Sequence, residues 1–209
     1  MPTKPTQSAQ SAQSTQQRRE RERADRESLI VRVARELAEA EGWDAVTTRR
    51  LAERIEYSQP VLYSHFAGRT AIVTAVALEG FAELTAELAA ARHRTTDPAA
   101  ALAAVAHAYV DFATAGPALY EAMFTLATDL PFGPDSAPAP LQAAFAELGN
   151  VLGPLAAGRD LVLFIEIGWA ALHGLVTLAR GGRLDPDQQS ERVDLLVGQL
   201  LALPSLPRR

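Results

Sequence analysis

The chain contains no cysteine, which excludes both a disulfide framework and thiolate chemistry. It also lacks the apolar core of a secretory leader. Residues 1–17 are polar where such a core would be needed, so the protein is expected to stay in the cytoplasm. No HExxH motif, His-rich tract, phosphate loop, carboxylate dyad or paired nucleophile and base is present, so no catalytic residue, metal or cofactor is expected. Long uninterrupted apolar runs are missing too. The most apolar stretch, 159–180, is broken by Glu166, Gly168, His173 and Gly174, which speaks against a membrane span and for a buried or subunit-interface helix. Lysine is nearly absent, since Lys4 stands alone among 20 basic residues; that bias carries no functional weight.

What is present suits a globular protein of one large or two small domains: 209 residues, 48% hydrophobic and 22% charged. The net charge of −5 argues against nucleic acid only when taken whole. Residues 1–69 carry 12 basic against 10 acidic side chains, a balance of +2, and the remainder carries 8 against 15, a balance of −7. A mildly basic N-terminal part can still neutralise a few phosphates, while the acidic remainder suits another task.

The order of elements reads as all-α. Residues 1–17 repeat a Gln-Ser-Ala theme that cannot repay the entropy of ordering, and residues 18–27 alternate charge at i,i+3 and i,i+4 spacing, so 1–25 is expected to be a disordered or charged helical tail. Its arginines are weighed as a DNA-reaching arm and, with preference, as a solvated face. A helix from about Arg26 to Glu41 carries Leu29, Val33 and Leu37 in one row and ends at Gly42. From Thr47 two short helices follow with a tight turn at Glu56 and Tyr57. Leu51, Ala52 and Ile55 face inward on the first, Val61, Leu62 and Phe66 on the second, which Ser58 caps and Pro60 opens. That is a helix-turn-helix, whose second helix enters the major groove.

The passage Gly42-Trp43, Val46-Thr47-Thr48, then Leu62-Tyr63-x-His65-Phe66 and a following basic residue, all within 34–73, resembles the DNA-binding domain of TetR-family transcriptional regulators. The resemblance covers about a quarter of the chain and implies a domain over 26–70 followed by a helical ligand-binding and dimerisation domain over 71–204. It also implies residue roles. Ser58, Gln59 and Val61 would face base edges, Gln59 by an amide paired with adenine and Val61 against a thymine methyl. Thr47, Thr48, Tyr63, His65 and Arg69 would meet phosphates, with Arg49, Pro60 and Ser64 completing the surface. The competing reading has Tyr63 and His65 bracing the small core. Two departures stand out: the family commonly has glycine and valine at Glu56-Tyr57, and often lysine-glycine at Gln59-Pro60.

Beyond Arg69 a long alanine-rich helix is expected to about His93, one from Asp97-Pro98 to Ala115, one from Pro117, a proline-rich loop over 129–140, one from about Leu141 to Val151, then the helices 159–180 and 187–203. The last two have surplus apolar surface, which suggests a homodimer closed by a four-helix bundle. Trp169-x-x-x-His173-Gly174 resembles the signature of TetR-type C-terminal domains named for a Trp-His-Gly motif. Tyr109, Phe112, Tyr120, Met123, Phe124, Glu166, Trp169 and His173 are the candidates to line a cavity for a small, mainly apolar effector. His107 and Asp111, an i,i+4 pair, are expected to be satisfied structural groups. The function implied is a ligand-responsive regulator, most often a repressor in this family, that binds a palindromic operator in double-stranded DNA as a dimer, without membrane association. The alternative is an α-helical small-molecule binder that does not bind DNA; a helical enzyme is the weakest class.

Overall fold

The computed structural model describes residues 7–127, 130–132 and 136–203. Residues 1–6 of the expected tail lie outside them. Every regular element among the described residues is helical: α1 Gln7–Glu41, α2 Thr48–Arg54, α3 Gln59–His65, α4 Arg69–Arg92, α5 Pro98–Ala115, α6 Pro117–Glu121 running into a π-helical turn Ala122–Leu126, α7 Ala139–Leu152, α8 Leu161–Arg180 and α9 Gln189–Ala202. Contacts divide the chain into two compact units, with the boundary inside α4 between Val76 and Ala77.

The first unit is built on α1, which begins at Gln7 rather than near Arg26. Its charged stretch is held by exposed i,i+4 pairs, Arg18 with Glu22 and Arg23 with Glu27, each worth a few tenths of a kcal/mol at most. The apolar row of α1, Ile30, Val33, Ala34 and Leu37, is buried together with Trp43, Val46, Leu51, Leu62, Ile72 and Val76. Burying a side chain of that size contributes about 1.5–3 kcal/mol, so this cluster, not propensity, holds the two short helices α2 and α3 in place.

The turn between α2 and α3 shows why so short a helix ends where it does. Tyr57 N–H donates to the Ala52 carbonyl at 2.9 Å and Glu56 N–H to that of Glu53 at 3.4 Å, the paired bonds of a Schellman motif. Glu56 takes the left-handed position with φ 58°. The end of α8 repeats the motif with Gly182, φ 67°, in the same role: Gly182 N–H donates to Ala179 and Arg183 N–H to Leu178, both at 2.9 Å.

In the second unit α5, α6, α7, α8 and α9 pack around Tyr109, Phe112, Leu119, Met123, Leu148, Val151, Phe164, Leu172 and Val197, all buried. The start signals work as expected: Asp97 caps α5 by accepting from Ala100 N–H at 2.7 Å, and Asp160 caps α8 by accepting from Leu163 N–H at 3.0 Å. Half-buried Arg92 on α4 donates to Glu147 on α7 at 2.9 Å. His107 meets Asp194 of α9 at 2.8 Å, the structural role expected for it, while Asp111 is exposed. α8 buries Phe164, Ile165, Gly168, Leu172 and Val176 and leaves Leu163 and Ile167 57% and 62% exposed. At 20 residues and mean hydropathy 1.9 it is long and apolar enough to cross a membrane by length and composition alone.

Candidate functional site

Two surfaces carry candidate residues, one in each unit. On the first, α2 is started by Thr47, whose hydroxyl accepts from Arg50 N–H at 3.2 Å. Arg50 is tied back to α1 by a two-armed pair with Glu41, both arms 2.9 Å, which holds the Glu41 carboxyl below its ordinary range. Arg49 lies on the outer side, paired with Glu53 at 2.9 Å. Ser58, Gln59, Pro60, Val61, Tyr63 and Ser64 are all exposed, Val61 at 38% and Tyr63 at 53%. Val61 therefore points outward and is not part of the inward face expected for it; Leu62, 1% exposed, fills that place. Ser58 occupies the N-cap position of α3 but makes no side-chain capping bond. Tyr63 and Thr48 approach through their hydroxyls at 3.4 Å, linking α3 to the start of α2.

His65 and Arg69, both expected at phosphates, make bonds within the small unit. The His65 side chain is 7% exposed, and its Nδ1 meets the Glu27 carboxylate of α1 at 3.3 Å. That carboxylate also accepts from Arg23 at 2.8 Å. Partial burial pushes the Glu27 carboxyl up, but the bonds from Arg23 and His65 outweigh it and the net direction is down. Arg69 donates through Nε to the Val46 carbonyl at 3.0 Å and through Nη2 to that of Trp43 at 2.9 Å. These two side chains brace the small unit: one joins α3 to α1, the other fastens the first turn of α4 to the chain ahead of α2. The signal in the sequence was the motif, and a motif does not say which side of a short helix each polar group takes.

The second unit carries an open cavity of about 640 Å³. Tyr109, Phe124, Glu166 and Trp169 of the expected set line it. Phe112 and Met123 are buried in the surrounding packing, and Tyr120 and His173 stand behind the wall. These last two are nevertheless joined to it. Trp169 Nε1–H donates to the Tyr109 hydroxyl at 3.0 Å, the Tyr109 and Tyr120 hydroxyls meet at 2.8 Å, and Tyr120 meets His173 Nδ1 at 2.6 Å. One direction satisfies every atom: Tyr109 donates to Tyr120, and Tyr120 donates to a neutral imidazole. Burial pushes the Tyr109 hydroxyl up to about 12, raises Tyr120 still further with Tyr109 beside it, and lowers His173. All three shifts favour uncharged groups, so the row is neutral at ordinary pH.

Sequence reasoning missed most of the apolar wall. Phe81, Leu84 and Leu88 come from α4, and Leu141, Phe145 and Leu148 from α7. Their positions on helical faces were legible, but packing alone decided that they would border a void rather than close it. Among the described residues no group of three or more histidine, aspartate or glutamate side chains could hold a metal.

A helix-turn-helix unit followed by a helical unit around an apolar cavity defines the class: a regulator with reading and sensing parts in one all-α chain. The family model described as "Bacterial regulatory proteins, tetR family" matches residues 30–76, and that described as "Tetracyclin repressor-like, C-terminal domain" matches residues 102–200. The chain belongs to the TetR family of transcriptional regulators. It is 36% identical over 97 residues to the uncharacterized HTH-type transcriptional regulator YobS of Bacillus subtilis, covering 46% of this chain and 50% of that one. Over 48 residues it is 46% identical to the tetracycline repressor protein class C of Escherichia coli, covering 23% of this chain and 22% of that one. The chain thus spans half or less of the length of these curated relatives. A protein with unknown function from Rhodococcus sp. RHA1 is similar in structure, with TM-score 0.69, 29% identity, and 84% of this chain and 93% of that one covered.

Proposed function

We propose that the protein is a cytoplasmic, homodimeric repressor that binds a near-palindromic operator and is released or retuned by a small, mainly apolar effector. The observation that carries this reading is the outer face of α3, where Ser58, Gln59, Val61, Tyr63 and Ser64 are presented together on a helix that a Schellman turn and a buried Leu62 hold fixed. Ser58, Gln59 and Val61 would read base edges, and Thr47, Thr48, Arg49 and Tyr63 would contact phosphates, with His65 and Arg69 acting mainly as braces. The cavity of the second unit has the size and apolar lining of a small-molecule site. The exposed apolar sides of α8 and α9, with Leu163, Ile167 and Leu195, would pair with a second copy; a dimer would set two reading helices about 34–36 Å apart or a multiple of that. Such a pairing also accounts for the exposed apolar surface of α8 without a membrane. The finer reading of the second unit as a Trp-His-Gly type rests on the motif Trp169-x-x-x-His173-Gly174, two members of which also belong to one bonded row.

A gel shift with the DNA flanking the protein's own gene tests the reading. A salt-sensitive shift that survives excess random DNA is the expected result. Equal competition by random and flanking DNA would favour a helical small-molecule binder that has lost its operator.

A further inference from the structure

The composition of the cavity wall goes beyond "apolar". Six aromatic side chains line it, Phe81, Tyr109, Phe124, Phe132, Phe145 and Trp169, out of the seven Phe, four Tyr and two Trp in the whole chain. Among the described residues that line it, one carries a charge, the carboxylate of Glu166, and none is basic. The other polar groups of the wall already have protein partners. The Trp169 N–H and the Tyr109 hydroxyl are engaged in the row that ends at His173, and Gln142 Nε2 donates to the Ala137 carbonyl at 2.8 Å. A ligand's polar end therefore meets a lone carboxylate, exposed at the edge of a wall otherwise built largely of aromatic and aliphatic side chains. Ring faces attract cations through their quadrupole, and a carboxylate attracts cations and repels anions. A neutral hydroxyl gains little from either.

We infer that the effector is an amphiphilic organic cation, an amine or quaternary ammonium on a broad apolar body, whose charged end is held by Glu166 and the surrounding rings. This rests on the reading of the cavity as the sensing site. It also gives a direction to selectivity. Carboxylates of the same shape are rejected by like charge, although the apolar body would fit equally well.

Pyrenebutylamine, pyrenebutanol and pyrenebutyrate share one body and differ in the terminal group, so titrating the full-length protein with each by calorimetry isolates that group. The amine is expected to bind about tenfold or more tighter than the alcohol, and the carboxylate more weakly than either. In Glu166→Gln, whose side chain is exposed and whose fold can be checked by circular dichroism, the amine should fall to the affinity of the alcohol while the alcohol is unchanged. An amine preference that persists in Glu166→Gln, or a carboxylate that binds tightest, overturns the cationic effector and leaves the cavity as a site for another class. If none of the three binds, the sensing cavity itself falls, and the cation proposal with it.

Discussion

At the scale of single residues, Glu56 is one of two places among the described residues, with Ala157, where a residue other than glycine takes a positive φ. Its φ of 58° is the left-handed region that costs a side chain roughly 1 kcal/mol and costs glycine almost nothing. The neighbouring Schellman bonds fix that conformation, so Glu56→Gly is expected to stabilise the first unit by up to about 1 kcal/mol in urea unfolding. A loss of stability would mean that the glutamate makes compensating contacts. Gln59 is exposed on the outer face of α3, and an amide can pair bidentately with adenine. Gln59→Ala should lose about 1–3 kcal/mol at the preferred half-site and flatten the ranking of a half-site library; an unchanged ranking removes it from readout. His173 supplies a pH dependence. Burial lowers its pKa in the fold, so between the unfolded value of 6.5 and that lower value the unfolded chain binds the proton first. Stability contributed by neutral His173 is present above 6.5 and drains away as pH falls. Thermal midpoints of the wild type should drop from pH 8 to 5.5 more steeply than those of His173→Gln, which keeps an acceptor for Tyr120.

Among elements, α4 is fitted at Gly80 to α6 and the π-helical turn that follows it. A Cβ there would lie 2.7 Å from Met123 Sδ and 2.8 Å from Leu119 Cδ1. Glycine inside a helix costs about 1 kcal/mol relative to alanine, so its presence is explained by close approach. Gly80→Ala regains that propensity while pushing on two side-chain ends, and should lie near neutral. Gly80→Val adds branching against the same atoms and should cost about 1–3 kcal/mol by overpacking, read by chemical unfolding. Met123 belongs to the π-helical turn Ala122–Leu126, which also carries Phe124 into the cavity wall. Helix boundaries were readable wherever a cap had chemistry, as at Asp97-Pro98 and Gly181-Gly182. The π turn was not, because i→i+5 bonding leaves no separate mark on a sequence that still reads as helical from Pro117.

For the whole molecule, the surface feature of most consequence is the apolar side of α8 and α9. Ile167 is 62% exposed and Leu195 69%, more than scattered surface residues require when Leu163 and Leu178 stand on the same helix as Ile167. The proposed dimer face predicts that Ile167→Glu gives a monomer in analytical ultracentrifugation, since burying two carboxylates without partners costs several kcal/mol. Its operator affinity should fall with dimerisation while the first unit stays folded. A dimer that survives the substitution would move the interface elsewhere.

The sequence by itself determined the helical class, the helix-turn-helix between Thr47 and Arg69, and the absence of thiol chemistry, because periodicity, caps and composition act locally. Four of the eight side chains it suggested for a cavity, Tyr109, Phe124, Glu166 and Trp169, do line one, while Phe112 and Met123, equally apolar, went into ordinary packing. Tertiary structure alone decided that His65 turns inward to Glu27, that exposed Arg69 is tied back to the carbonyls of Val46 and Trp43, and that Val61 turns out. It alone set Tyr120 and His173 behind the cavity wall and drew Phe81, Leu84 and Leu88 into it. The reason is the same in each case. Periodicity assigns a residue to a face of its own helix, but which neighbour that face meets, and whether a gap is left there, depends on elements distant in the chain.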